Sequence, residues 1–375
     1  MAHSCSLPGW GIDQTESFGS RNPKSMTQSR ITCVVPTHHR PQFLRRLFEF
    51  YSNWPPSFSF LVVDSSQPQF AAENRCLIDR VSGQLSIAYQ HIERSFVDKC
   101  TQALETLATP FVVFCADDDL LFSETVQECV AFLEQHAEFA TALGYSPVLD
   151  CGRRKGRCQV GIGMSLEDPQ PLARCRQMAR VWFSTFYGVY RTPTLREIFQ
   201  KTQASTDSQL TYFLPEMMLS QLSVLRGQVK VFPKLYGLRE FHFTNAGQRP
   251  KVPAQPQAEL LYRRFQESLV QELTESGTST AVANQFVDHW FGYLRDPEVA
   301  NGRRKRPTLE RVQRFASSLL RQLQNPFCTD RNLHRRFLRP SDIRGQEAIW
   351  NAAVRLMLDY PQGLPMAGEP GRVAA

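Results

Sequence analysis

Residues 111–122 read FVVFCADDDLLF and combine a fold signal with a charge signal. An apolar run with the composition of a buried strand stops at three consecutive acids, Asp117, Asp118 and Asp119. Three like charges at the end of a buried strand cost folding free energy unless a positive group compensates them. The stretch therefore predicts a buried strand that carries a charged binding site at its carboxyl end.

Apolar runs of the same kind alternate with helical patterns around this stretch. Strands are predicted at 31–35, 58–66, 85–91, 111–116 and 139–146, with helices at 40–51, 70–80, 95–108 and 123–138. This alternation predicts the α/β class, with a Rossmann-like, mostly parallel sheet that helices cover on both faces. Because ligands of such sheets bind beyond the carboxyl ends of the strands, Thr37, Asp64 and the three acids are expected around one crevice.

The composition is that of an ordinary globular protein, with 42% hydrophobic and 21% charged residues over 375 positions. This length suits one large domain with a smaller one, or two domains. Apolar stripes in the last third of the chain predict a C-terminal helical region. The predicted division is a disordered lead-in at 1–29, a sheet domain at 30–250, the helical region at 255–362 and a tail at 363–375.

The sequence predicts a cytoplasmic location. Its first thirty residues lack the basic start and apolar core of a secretory signal. No apolar stretch approaches the ~20 residues that a spanning helix needs. The ten cysteines are scattered, without a C-x-x-C pair, which favours a reducing compartment.

The formal net charge is +7, and basic clusters lie at 152–157, 301–306 and 331–339. They are interpreted as solvated loops and helix faces, or as contacts to an anionic membrane surface, a phosphorylated acceptor or nucleic acid. No nucleic-acid motif accompanies them, so nucleic acid is not an expected partner. Peripheral contact with the inner membrane face stays open as an interpretation.

The acid cluster itself admits several interpretations. Oxygen ligands suit Mg²⁺ or Mn²⁺, a phosphoaspartate enzyme would use one acid as nucleophile, and a helix N-terminus would favour negative charge. A Walker site is excluded because no G-x-x-x-x-G-K-[ST] occurs. A phosphoaspartate nucleophile would be expected after the first strand, where Pro36 and Thr37 stand.

Three segments in order, ITCVVPTHHRPQFLRRLF (31–48), FLVVDSS (60–66) and FVVFCADDDLLF, resemble the nucleotide-binding half of a family-2-like glycosyltransferase with the GT-A fold. The resemblance extends over about residues 31–242. It implies a glycosyltransferase of the hexosyltransferase type, which uses a nucleotide-diphosphate sugar donor and an acceptor of unknown class. It also implies Mn²⁺ or Mg²⁺ as cofactor and inversion at the anomeric carbon.

The resemblance also assigns roles along the predicted crevice. Asp117 and Asp119 match the D-x-D signature and, with His242 of the REFH segment, would hold the metal; an alternative alignment pairs Asp118 with Asp119. Arg40 takes the basic position after the Pro-Thr turn, and Lys99 is expected near the diphosphate. The predicted nucleotide-sugar contacts are Pro36, Thr37, Arg40, Asp64, Lys99, Asp117 and Asp118.

For the catalytic base, the resemblance points to an acid at the start of a later helix. Glu216 opens the pattern LPEMMLSQLSVLRG (214–227), and Asp207 is the second candidate. Stabilisation of the helix dipole is an equally open role for Glu216. Trp182, Phe186, Tyr187 and Tyr190 would line an acceptor cleft or belong to the core.

Two other functions remain open at this point. A nucleotidyltransferase also uses a Rossmann-like sheet with carboxylate-bound Mg²⁺, but it would favour a glycine-rich loop where PTHHRP stands. A non-catalytic nucleotide-binding or interaction module would not need its acids intact. The predicted function is therefore a metal-dependent glycosyltransferase.

Overall fold

Two β-sheets and the helices around them form the described part of this computed structural model. It describes residues 29–151, 157–161, 163–242, 251–301, 335–337 and 340–363. The strands are β1 (Ile31–Thr37), β2 (Ser59–Asp64), β3 (Ile87–His91), β4 (Phe111–Phe114), β5 (Leu120–Leu121), β6 (Phe139–Tyr145), β7 (Pro147–Asp150), β8 (Arg157–Gly161), β9 (Val189–Arg191), β10 (Gln228–Leu235), β11 (Gly237–Phe241) and β12 (Arg335–Phe337). The helices are α1 (Pro41–Asn53), α2 (Pro68–Val81), α3 (Phe96–Glu105), α4 (Ser123–Gln135), α5 (Pro171–Val181), α6 (Thr192–Ser205), α7 (Phe213–Arg226), α8 (Gln257–Glu275), α9 (Thr280–Phe291), α10 (Pro297–Ala300) and α11 (Glu347–Asp359).

The central sheet has seven strands in the order β10-β6-β9-β4-β1-β2-β3. β1 is parallel to β2 and β4, β2 to β3, and β10 to β6, whereas the short β9 runs antiparallel between β4 and β6. Every residue of β1 and β4 is buried, as expected when helices flank both faces. The predicted α/β class with a mostly parallel sheet is confirmed.

The first strand continues past the residue at which the sequence predicts its end. Pro36 pairs in register with Val63, and Thr37 pairs with Asp64, whereas the β4 ladder along β1 stops at Val34. Proline is tolerated where a strand lacks a neighbour on one side, because no ladder hydrogen bond is lost there. The extension places Thr37 directly beside Asp64.

A second sheet, in the order β12-β8-β7-β11-β5, has no counterpart in the sequence prediction. β5 follows the three acids immediately and pairs antiparallel with β11. A Cβ on Gly237 would lie 2.3 Å from the Leu120 carbonyl oxygen, so only glycine permits this approach. The pairing brings Arg239, Glu240 and His242 next to residues 115–119 between β4 and β5, here called the acid loop.

The C-terminal helices pack against the sheet domain. α8 contacts α6 and α7, where the buried Glu272 carboxylate lies 2.6 Å from Arg226 Nη2 and 2.7 Å from Lys201 Nζ. α11 contacts α1 and β11. The predicted C-terminal helical region is confirmed at α8, α9 and α11, and its residues 302–334 lie outside the described residues.

Several other predictions also concern residues outside the described part. These are the lead-in up to residue 28, the tail from residue 364 and most of the three basic clusters. The division into domains and the membrane contact stay predictions. None of the described helices combines the length and the apolar character needed to cross a bilayer.

Candidate functional site

The carboxyl ends of β1, β2 and β4 meet at one edge of the central sheet, as the sequence predicts. Thr37 Oγ1 donates a 2.7 Å hydrogen bond to Asp117 Oδ2, and Asp64 lies on the neighbouring strand. Asp117, Asp118 and Asp119 are only 3%, 6% and 3% exposed. Three buried carboxylates at one place require positive partners, and the structure identifies them.

Arg40 and His242 compensate the first two acids. Arg40 Nη2 lies 2.8 Å from Asp117 Oδ1 and 2.8 Å from Asp118 Oδ2, and His242 Nε2 donates a 2.8 Å hydrogen bond to Asp118 Oδ2. Burial alone would raise the pKa of Asp118, but His242 and Arg40 hold it below its usual range. Burial and the Asp118 charge raise the pKa of Asp117, and Arg40 offsets part of this.

Asp119 has a separate set of partners. Its carboxylate accepts hydrogen bonds from Tyr187 Oη at 2.5 Å, the Glu240 backbone N–H at 2.9 Å and Arg239 Nε at 3.3 Å. Burial and then repulsion from Asp118 raise the pKa of Asp119 to about 6. Asp119 therefore stands in an environment distinct from that shared by Asp117 and Asp118.

Asp64 is fully buried and fixed by three donors. Its carboxylate accepts from the Ser66 N–H at 2.7 Å, Asn74 Nδ2 at 2.8 Å and Tyr89 Oη at 2.8 Å. Burial raises its pKa, but these hydrogen bonds outweigh burial and hold the pKa below the usual value. The acid fixes the turn after β2, beside the end of β1.

Lys99 connects the ends of the same two strands. Its Nζ donates to the Thr37 carbonyl at 2.6 Å and to Ser65 Oγ at 3.0 Å, and the residue is buried. Burial lowers the pKa of its ammonium group. The structure thus brings Pro36, Thr37, Arg40, Asp64 and Lys99 to the edge that carries the three acids, and their roles in nucleotide-sugar binding stay predictions.

The two candidate bases lie in different settings. Glu216 is in the first turn of α7, near enough to Arg239 for its charge to help raise the pKa of that guanidinium. Asp207 Oδ1 accepts a 2.9 Å hydrogen bond from the Gln209 N–H, in the turn before α7. The charge of Glu216 thus acts on the arginine that also binds Asp119, whereas Asp207 is bonded locally, and the choice of base stays a prediction.

The aromatic residues predicted to line an acceptor cleft or to belong to the core do not all have the same surroundings. Tyr187 touches Asp119, whereas Tyr190 is buried and bonds the Thr185 carbonyl and Ser223 Oγ. Phe186 lies 5.0 Å from Phe114, ring centroid to ring centroid. Tyr190 therefore belongs to the core, the alternative that the sequence leaves open.

The fit of a divalent metal rests on Asp118 and His242. No group of three or more His, Cys, Asp or Glu side chains suited to a metal occurs within the described ranges. Asp118 and His242 nevertheless present a carboxylate and an imidazole to each other, and Mg²⁺ commonly takes one or two carboxylates with substrate phosphates and water. The ligand set Asp117, Asp119 and His242 stays a prediction, and the geometry favours Asp118 as the partner of His242.

Sequence reasoning missed two charged residues behind the acid loop. Arg46 of α1 is buried, donates a 2.8 Å hydrogen bond to the Asp118 carbonyl and lies 2.5 Å from Glu240 Oε2. The sequence does contain a signal for this ion pair, because Arg46 falls on the apolar stripe formed by Phe43, Leu47 and Phe50. A charged residue on the buried stripe of a helix indicates a buried partner.

Comparison with known proteins finds similarity in structure. No protein-family model and no curated protein sequence matches the chain. Crystal structures of Staphylococcus aureus TarS 1–349 are similar over 78% of this chain and 80% of theirs, at 16% identity, with TM-scores of 0.52 alone and 0.54 in complex with UDP-GlcNAc. The complex with UDP gives a TM-score of 0.51 at 15% identity, over 77% of this chain and 78% of TarS 1–349. At this identity the likeness establishes a shared fold.

Proposed function

We propose that the chain is a glycosyltransferase that moves a sugar from a nucleoside-diphosphate sugar to an acceptor hydroxyl. The observation that carries the proposal is the edge where Thr37, Asp64 and the three acids meet. This edge lies at the strand ends where α/β sheets bind their ligands. The shared fold adds support, because TarS 1–349 has been crystallised with UDP and with UDP-GlcNAc.

The donor's diphosphate would lie against Arg40 and Lys99. The Arg40 side chain is 27% exposed, with Nε and Nη2 buried and Nη2 beside two carboxylates, so a phosphate oxygen would bind at Nη1. Guanidinium groups suit phosphate because their planar fork donates two parallel hydrogen bonds. The nucleoside would lie beside the Asp64 turn, where Asn74 and Tyr89 fix the carboxylate.

Charge stabilisation of the leaving nucleoside diphosphate is the main chemical requirement of the reaction. A divalent cation held by Asp118 and His242 would supply Lewis-acid stabilisation there. Arg40 and Arg239 are fixed beside the acids and contribute preorganised positive charge. To become a ligand, His242 would exchange its hydrogen bond with Asp118 for the cation.

The acceptor would be activated by Glu216. Its carboxylate takes the proton of the acceptor hydroxyl while the oxygen bonds to the anomeric carbon. The bond from that carbon to the diphosphate oxygen breaks, and its electron pair leaves with the nucleoside diphosphate. Direct displacement of this kind inverts the anomeric carbon, and Asp207 is the second candidate for the base.

A thermal-shift panel tests the proposal. The unfolding midpoint of the full chain is measured with UDP, UDP-GlcNAc, ADP, GDP and their sugars, each with Mn²⁺ and with a chelator. A ligand at a hundred times its Kd stabilises the fold by ~2.7 kcal/mol, which is easily detected. At least one nucleoside diphosphate should raise the midpoint, and less so in Asp118→Asn. If none shifts it at millimolar concentration, the proposal fails.

A further inference from the structure

A buried arginine connects the acid loop to the end of the described chain. Arg46 is 1% exposed and donates from Nη2 to the Asp118 carbonyl at 2.8 Å and from Nη1 to the Tyr360 carbonyl at 2.9 Å. Its Nη2 also lies 2.5 Å from Glu240 Oε2. A single guanidinium group thus contacts the acid loop, β11 and the residue after α11.

Glu240 makes the second connection between the same parts. Its backbone N–H donates to Asp119 Oδ1 at 2.9 Å, and its side-chain Oε1 accepts a 2.9 Å hydrogen bond from the Gln362 N–H. Residues 360–363 are here called the C-terminal segment. The segment is therefore connected to Asp118 through Arg46 and to Asp119 through Glu240. Because Arg46 and Glu240 are both buried, each would be left with less compensation if the segment moved away.

A glycine allows the C-terminal segment to pack closely against α1. Gly363 has a φ of +96°, and a Cβ at this position would lie 2.5 Å from backbone atoms of Gln42 and 2.7 Å from the Phe43 nitrogen. A Cβ essentially never approaches another atom so closely, so any other residue would force the segment off the helix. Arg46 follows Gln42 by one helical turn, so the glycine contact lies next to the arginine that binds Tyr360.

We propose that the C-terminal segment is a positioning element of the acid loop. Through Arg46 it fixes the Asp118 backbone, and through Glu240 it fixes the Asp119 carboxylate. The effect on donor affinity rests on the proposed function, whereas the effect on loop order does not. Arg46, Glu240 and Gly363 are thus positioning residues that act through Asp118 and Asp119.

Two glycine substitutions in the full chain separate this role from backbone strain. Gly363→Ala and Gly277→Ala both place a side chain at a left-handed φ, +96° and +93°, but a Cβ on Gly277 meets nothing within 4 Å. The readouts are hydrogen exchange of the backbone amides at 117–121 and calorimetric titration with UDP and Mn²⁺. Gly363→Ala should speed exchange at the loop by on the order of tenfold and weaken UDP binding, while Gly277→Ala leaves both near wild type.

The outcomes distinguish this inference from the proposed function. Equal exchange at the loop in the two variants overturns the positioning role. Faster exchange in Gly363→Ala with no nucleoside diphosphate bound by wild type supports positioning and refutes the proposed function. If wild type binds UDP and Gly363→Ala binds it equally well, the segment has no role in donor affinity. Should Gly363→Ala fail to fold, Gln362→Pro tests the same link, because proline has no N–H to donate to Glu240 Oε1, and unchanged exchange at 117–121 then overturns the positioning role.

Discussion

His242 Nε2 donates a 2.8 Å hydrogen bond to Asp118 Oδ2, although the two residues are 124 positions apart. The pairing of β5 with β11 produces this contact, because β5 begins one residue after Asp119 and β11 ends one residue before His242. Carboxylate and imidazole are both common ligands of Mn²⁺-type cations. The contact is the place at which we propose that a divalent metal would bind.

Substitution at either residue of this pair should weaken metal binding. We expect Asp118→Asn and His242→Gln each to raise the Kd for Mn²⁺, measured by electron paramagnetic resonance with UDP present, by about tenfold or more. His136→Gln is the matched control, since His136 pairs with Glu138 at the surface. If both site variants bind Mn²⁺ with the affinity of the wild type, neither Asp118 nor His242 is a metal ligand.

Replacement of the proposed base should slow transfer without loss of donor binding. Glu216→Gln keeps the shape of the side chain but cannot accept the acceptor proton, so kcat should fall by about 10²–10⁴-fold. Asp207→Asn serves as the comparison, because its carboxylate is bonded within a local turn. A rate loss in Asp207→Asn alone would transfer the role of base to Asp207.

The raised pKa of Asp119 predicts a pH dependence of stability. The folded protein holds the Asp119 proton up to about pH 6, whereas an ordinary Asp releases it near 3.8. The protonated acid therefore stabilises the fold fully below pH 3.8, and this contribution is lost as the pH rises through 6. Relative to Asp119→Asn, the wild-type free energy of unfolding should fall by on the order of 2–3 kcal/mol over this range. Urea titrations at several pH values measure the difference, and a constant difference would contradict the raised pKa.

The ion pairs of Glu272 should stabilise the packing of α8 against α6 and α7. Glu272→Gln removes a buried charge from Arg226 and Lys201, so we expect a loss of about 1–3 kcal/mol in the free energy of unfolding. Glu275→Gln is the control, because Glu275 is 53% exposed and lies 3.9 Å from Lys201. Its effect should stay below about 1 kcal/mol. Equal losses in the two variants would show that burial of Glu272 is unimportant.

The central sheet could be predicted because its strands are covered on both faces. β1, β2 and β4 are therefore continuous apolar runs, and each run ends at polar residues that mark the binding edge. The second sheet could not be predicted in the same way. β5 has only two residues and β12 only three, too few for a period-two pattern to be recognised.

The compensation of the acids could be predicted only in part. Three adjacent carboxylates indicate a positive partner, and the sequence suggests a metal ion. The structure adds the guanidinium groups of Arg40 and Arg239, which reach the acids only after the chain folds. Ion pairs between residues far apart in sequence leave no local pattern, whereas Arg46 could have been recognised from its place on an apolar stripe.

Calorimetric titration of the full chain with UDP-GlcNAc and UDP, with and without Mn²⁺, is the decisive test of the claim made for this site. The claim is that the edge carrying Arg40 and the three acids binds a nucleoside diphosphate. We expect saturable binding that Arg40→Gln weakens by about tenfold, equivalent to ~1.4 kcal/mol, and that Asp118→Asn also weakens. Binding unchanged in both variants would contradict the claim, because the ligand would then occupy another surface.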